Sequence, residues 1–160
     1  MHLPKGFELP QIAVVGFNKH NINSNAIGGY DRHTGILYIN SKYDTTEKIL
    51  GFVNQTQGMF ANNTQYAPIL HELGHKYYYD SINKLAISRG IEYNKAKGII
   101  DHKIYDSLEK NNQFRNVKNI SKYAKTGYET NNYTELVAEC FSISDSNTLA
   151  MFIIKLLAEE

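Results

Sequence analysis

The sequence predicts an α+β domain, mostly helical with a small, mainly antiparallel sheet, and three observations carry that reading. Short runs of β-branched and aromatic residues, bounded by turn residues, lie before residue 41. Beyond residue 44 the apolar residues recur at three- and four-residue intervals, the period of amphipathic helices. At 160 residues and 42% hydrophobic, the chain has enough material for one real core.

Residues 1–10 read as a linker or N-terminal extension, because Pro4, Gly6 and Pro10 interrupt regular structure, and residues 11–160 read as a single domain. The first residues lack the apolar stretch of a secretory signal. The expected setting is therefore cytoplasmic or virion-associated, with the chain a piece of a longer polypeptide. Residues 12–17 form a first strand, the asparagine-rich stretch 18–25 a loop, and 26–30, broken by Gly28 and Gly29, the approach to a second strand. Asp31-Arg32-His33-Thr34-Gly35 is a turn that leaves His33 exposed, and Ile36-Leu37-Tyr38-Ile39-Asn40 is the strand that closes the hairpin.

Asp44 or Thr45 caps a helix whose apolar face is Ile49, Leu50 and Val53, and the polar residues 55–64 form a loop. The next helix runs from about Ala67 to Ser81 or beyond, with Pro68 in its first turn. Residues 91–110 form another, with Ile99, Ile100, Ile104 and Leu108 inward and Asn111-Asn112-Gln113 ending it. Residues 116–131 are largely polar, with Gly127 as a hinge, and suit a lid over a site. Residues 149–157 read as a packed terminal helix, too short and too interrupted by Lys155 to span a membrane.

Within the helix that starts near Ala67 stands His71-Glu72-Leu73-Gly74-His75, an H-E-x-x-H sequence. Histidines four apart lie about 6 Å from each other on one helix face, so both imidazoles can reach a single zinc ion. Glu72, next to the first ligand, is placed to act as a general base toward water. Random placement of this chain's histidines and glutamates would give the pattern on the order of once in a hundred such chains, so the helical context matters as much as the motif. Gly74 strengthens it: glycine costs roughly 1 kcal/mol in a helix interior, which makes sense where something must approach the backbone closely. The alternative is an amphipathic helix with two histidines at its edge.

Tetrahedral zinc in a hydrolytic site takes three protein ligands and keeps a fourth place for water. The third is expected from Tyr133-Thr134-Glu135-Leu136-Val137-Ala138-Glu139-Cys140-Phe141, where Glu135 and Glu139 share one face of an otherwise apolar helix. Two carboxylates there are expensive to bury without a cation or donors. Glu135 is the expected ligand, and Glu139 the expected partner of a ligand histidine's other ring nitrogen. Two metal-free readings compete. Asn132-Tyr133-Thr134-Glu135 fits a capping box, with Glu135 reaching back to its own helix start, and Glu139 fits a partly exposed helix glutamate. Cys140 reads as a core residue, and His102 as a partly exposed histidine and not a fourth ligand.

These stretches resemble the gluzincin metallopeptidases of the anthrax lethal factor type and related domains at the ends of phage head-morphogenesis proteins. The likeness rests on His71-Glu72-Leu73-Gly74-His75, on Ser121-Lys122-Tyr123-Ala124, and on residues 132–141. It implies a zincin-like catalytic domain with zinc on His71, His75 and Glu135, and with Glu139 beside the site. It also implies a tyrosine, shortly before the ligand helix, that polarises the substrate carbonyl or stabilises the oxyanion. Tyr128 stands at the family-like distance from Glu135, whereas Tyr123 has the family-like neighbours but lies further off. Spacing selects Tyr128, with Tyr123 the alternative, and residues 125–127 and 129–131 read as a local insertion.

The expectation is a zinc-dependent endopeptidase acting on peptide or protein, with Glu72 as general base and the strand at 36–40 offering its edge to an extended substrate. ImmA-like repressor-cleaving proteases share H-E-x-x-H and a downstream E-x-x-A, and stand as an alternative hydrolase. Deformylases place a cysteine ligand upstream of their motif, whereas Cys140 lies downstream. A non-catalytic zinc-binding assembly module of a phage structural protein is the alternative from outside enzymology. A net charge of +1 without a basic cluster argues against nucleic acid as the main partner, and the single cysteine excludes an internal disulfide.

Overall fold

The computed structural model describes residues 3–20 and 25–159. Three strands, β1 (Gln11–Val15), β2 (Gly28–Asp31) and β3 (Ile36–Asn40), form one sheet in the order β1-β3-β2. The expected hairpin is present: β2 and β3 pair antiparallel, from Gly28 opposite Ile39 to Asp31 opposite Ile36. Its turn is built by the Asp31 carboxylate, which accepts from the His33 amide at 2.8 Å and the Thr34 hydroxyl at 3.0 Å. Gly35 completes it at φ 70°, a left-handed conformation that costs glycine little.

β1, by contrast, runs parallel to β3, with Ile12 opposite Leu37 and Val15 opposite Asn40. The sheet is therefore mixed, not mainly antiparallel. Tight-turn geometry fixes the direction of only one neighbour of β3. The connection out of β1, which carries a 3-10 turn at Phe17–His20, leaves the direction of the other neighbour to tertiary packing. β3 is consequently the central strand and has no free edge, which overturns the expectation that residues 36–40 offer one; the edges are β1 and β2. Of the loop expected at 18–25, residues 21–24 lie outside the described residues, as do Met1 and His2 of the expected linker.

The helices are α1 (Thr46–Gln55), α2 (Ala67–Arg89), α3 (Tyr93–Lys110), α4 (Phe114–Val117), α5 (Lys122–Glu129), α6 (Tyr133–Ser142) and α7 (Thr148–Ala158). Thr45 caps α1 by accepting from the Lys48 amide, and Asn147 caps α7 by accepting from the Ala150 amide, each satisfying a donor the helix leaves open. Gly90, at φ 61°, ends α2 in the left-handed conformation. The core joins Tyr78, Ile82 and Leu85 of α2, Ile100, Ile104 and Leu108 of α3, Leu136 and Phe141 of α6, and Ile153 and Leu157 of α7, each such side chain contributing roughly 1.5–3 kcal/mol. The segment before β1 is pinned to this core by Phe7, whose ring lies 5.2 Å from that of Phe141 and 6.1 Å from that of Tyr77. Among the described residues, no helix is long and apolar enough to cross a membrane.

α6 is the central helix, buried along almost its whole length, and α2 crosses it in direct backbone contact. A Cβ on Gly74 would lie 2.5 Å from Ala138 Cα and 2.8 Å from its carbonyl oxygen. Glycine is thus required by the crossing, as its helical cost suggested. Gly127 is a second packing glycine: a Cβ there would stand 2.8 Å from the Asn132 carbonyl oxygen and 2.9 Å from Glu135 Cβ. It is buried where α5 lies on the start of α6, not a hinge, and residues 116–131 are mostly helix and not an irregular lid. Their polar composition reflects the solvent face of short amphipathic helices. Gly74→Ala is expected to lower the unfolding free energy by roughly 3 kcal/mol as the helices separate. Urea denaturation checks this, and an unchanged midpoint would contradict the contact.

Candidate metal centre

Because α2 and α6 touch at Gly74 and Ala138, the side chains three residues before and one residue after the contact on each helix come together. On α2 these are His71 and His75, and on α6 Glu135 and Glu139. Glu135 Oε2 lies 3.4 Å from His71 Nε2, and its Oε1 lies 3.8 Å from His75 Nε2. The capping-box alternative fails here: the helix start makes no side-chain cap bond, and the Glu135 carboxylate points at the imidazole pair.

Glu139 is fully buried, and its Oε1 lies 2.5 Å from His71 Nδ1. Its other oxygen accepts from the Ala61 backbone amide. That arrangement fixes the His71 ring with Nε2 turned toward Glu135, the orientation a ligand histidine needs. Burial disposes of the exposed-glutamate reading of Glu139. Cys140 is buried on the far side of α6, where burial pushes its thiol up. His102 is exposed and lies 3.4 Å from Asp106, as its helical position suggested.

His71, His75 and Glu135 thus form a group that can hold a metal ion, with one ligand atom from each within 4.8 Å of the others. The fit can be tested on distance. Ligands about 2.0–2.2 Å from a tetrahedral ion lie about 3.4 Å from one another, close to the 3.4 and 3.8 Å found here. Two imidazoles and a carboxylate are a donor set that divalent first-row ions, zinc among them, accept.

Beside the ligands, Glu72 is held from the sheet: the Tyr30 amide on the outer edge of β2 donates to Glu72 Oε2 at 2.8 Å. Burial raises the Glu72 pKa, opposed by His71 and by this hydrogen bond. Tyr123, in the first turn of α5, stands over the site with its ring 5.1 Å from that of His71. It gets there because Ser121 caps α5 and because the Lys122 and Tyr123 amides donate to the carbonyls of Gly58 and Met59 at 2.8 and 3.3 Å. Burial, then the charges of Glu135, Glu139 and Glu72, raise its pKa.

Tyr128 is not at the site. Its hydroxyl donates to Glu109 of α3 at 2.9 Å. Counting residues back from Glu135 misleads because the segment is helical: positions five apart on α5 point to different sides. Tyr123 replaces Tyr128 as the tyrosine of this centre.

Three contributors lay hidden in the sequence: the amides of Tyr30 and Ala61, and the ring of Phe60, which meets His71 edge-on at 5.6 Å. Backbone donors carry no sequence signature. Met59-Phe60-Ala61 is an apolar triplet inside an otherwise polar loop, and that break in pattern was the available signal. Comparison of the chain with protein-family models, with curated proteins and with solved structures finds no match.

Electrostatics give the centre a pH dependence. Burial alone would push His71 down, but hydrogen bonds with Glu135 and Glu139 and the nearby carboxylate charges outweigh it and hold its pKa at about 10. His75 is pushed down to about 3, by burial first and then by the charge on His71. At neutral pH the metal-free centre therefore carries one imidazolium, on His71, and a neutral His75. A metal ion must displace the His71 proton, so affinity falls as pH falls below about 10. Calorimetric titration with zinc at pH 7, in buffers of different ionisation enthalpy, should show about one proton released per ion and an affinity rising about tenfold per pH unit between pH 6 and 8. Affinity independent of pH over that interval would contradict the assignment.

Proposed function

We propose that the protein is a zinc-dependent peptidase in which His71, His75 and Glu135 hold the ion and Glu72 is the general base. The observation that carries this reading is the Glu135 carboxylate, which brings one oxygen to 3.4 Å from His71 Nε2 and the other to 3.8 Å from His75 Nε2. Zinc bound there supplies Lewis acidity, polarising a carbonyl and acidifying water.

The protein's own groups divide the remaining work. Glu139 orients His71 through Nδ1. Glu72, anchored at Oε2 by the Tyr30 amide, keeps Oε1 to take a proton from water and pass it to the leaving amine. Its burial-raised pKa brings it closer to the working pH, where a general base is most effective. Tyr123 has its pKa raised, so its phenol stays protonated at neutral pH and can donate to a developing oxyanion.

A held carboxylate base next to the ligands favours catalysis over a purely structural ion, because structural zinc sites are closed by four protein ligands. Glu135 is also 27% exposed, which leaves the ligand set open on one side. Both features argue against the assembly-module alternative.

Glu72→Gln should retain one zinc per chain while cleavage of a peptide library falls by about 10²–10⁴-fold. Turnover near that of the parent would contradict the role. Tyr123→Phe should slow cleavage by about 10²-fold with zinc content unchanged, whereas Tyr128→Phe should leave both alone. The reverse ranking in steady-state rates would restore Tyr128.

A further inference from the structure

A second cluster lies where the tip of the β2–β3 hairpin meets α2 and α3, and the metal centre does not use it. The Arg32 guanidinium stands 5.7 Å from the ring centroid of Tyr79 and 5.1 Å from that of Tyr93. These three residues, with His33 and Asn83, line a pocket of about 220 Å³. Arg32 Nε donates to His33 Nε2 at 3.4 Å, and among the described residues no carboxylate pairs with the guanidinium. The acids around it are already engaged: Asp31 accepts from the His33 amide and the Thr34 hydroxyl, and Asp80 pairs with Lys76. The Tyr93 hydroxyl is buried and finds no hydrogen-bond partner among the described residues, and Tyr93 presents its ring to the guanidinium.

The pocket lies along α2 from the proposed catalytic base. Tyr79 follows Glu72 by two turns of α2, on nearly the same face and about 10 Å along the axis. Its ring stacks on Tyr30 at 6.3 Å, and the Tyr30 amide is the group that holds Glu72. An extended peptide advances about 3.4 Å per residue, so about 10 Å corresponds to three residues. A guanidinium steadied by two aromatic rings presents a planar, donor-rich face that matches a carboxylate.

We infer that this pocket is a carboxylate subsite, which takes an acidic group of the peptide substrate about three residues from the bond that is cut. The inference rests on the peptidase reading for its substrate, but its central test requires no cleavage. The zinc-loaded Glu72→Gln variant is titrated calorimetrically with acetylated, amidated decapeptides that carry one Glu stepped along the chain, with their Gln counterparts, and with a version bearing a free C-terminal carboxylate.

At one Glu position, or for the free C-terminus, binding should be on the order of fivefold tighter than for the neutral counterpart, and the arm that responds identifies the source of the carboxylate. Adding Arg32→Gln should abolish the preference with zinc content and circular dichroism unchanged, and Arg32→Glu should reverse it toward Lys. Equal binding of Glu and Gln throughout, or a preference that survives Arg32→Gln, would overturn the subsite. Failure of the peptidase reading looks different: the zinc-loaded parent would leave a peptide library uncut while the Arg32-dependent preference persisted. Neither binding nor cleavage of any peptide would overturn both.

Discussion

The contact between the backbones of α2 and α6 is the constraint on which the rest of the structure depends. Helices that interpose side chains pack 8–10 Å apart by general rule. Here Gly74 has none to interpose, and the helix meets Ala138 main chain directly. Only at that separation do a histidine pair on one helix and a glutamate pair on the other come within reach of each other. The i, i+4 spacing on each helix then does the rest, because both pairs project from the faces that meet.

The same closeness creates an electrostatic difficulty. Three carboxylates, those of Glu72, Glu135 and Glu139, converge on two imidazoles in a largely buried space. Burying charge is costly unless each group is paired. The fold meets part of that cost with backbone: the Ala61 amide serves Glu139 and the Tyr30 amide serves Glu72. The His71 imidazolium balances only part of the remaining negative charge. A divalent cation that displaces the His71 proton would offset two of the three negative charges where the imidazolium offsets one, and so the composition of the cluster argues for an ion independently of its geometry.

What could be read from the sequence and what could not divides along physical lines. Features encoded in short-range pattern were legible: the helix bearing His71 and His75, the shared face of Glu135 and Glu139, the Thr45 cap, the turn at Asp31 and the reason for Gly74. Features set by tertiary packing were not. The parallel pairing of β1 with β3 has no local cause. The choice of Tyr123 over Tyr128 depends on α5 being helical and on its stapling to the loop at Gly58 and Met59. Gly127 invites reading as a hinge because a glycine in a polar stretch looks the same whether it gives freedom or makes room, and only its neighbours distinguish the two.

The most direct test of the account is X-ray absorption at the zinc edge of the metal-loaded protein, compared with a Glu135→Ala variant. The account predicts one ion per chain with two imidazole shells, one carboxylate oxygen and no sulfur, and a first shell that loses an oxygen, or the ion altogether, in the variant. A sulfur shell, or a first shell unaltered by the substitution, would contradict it.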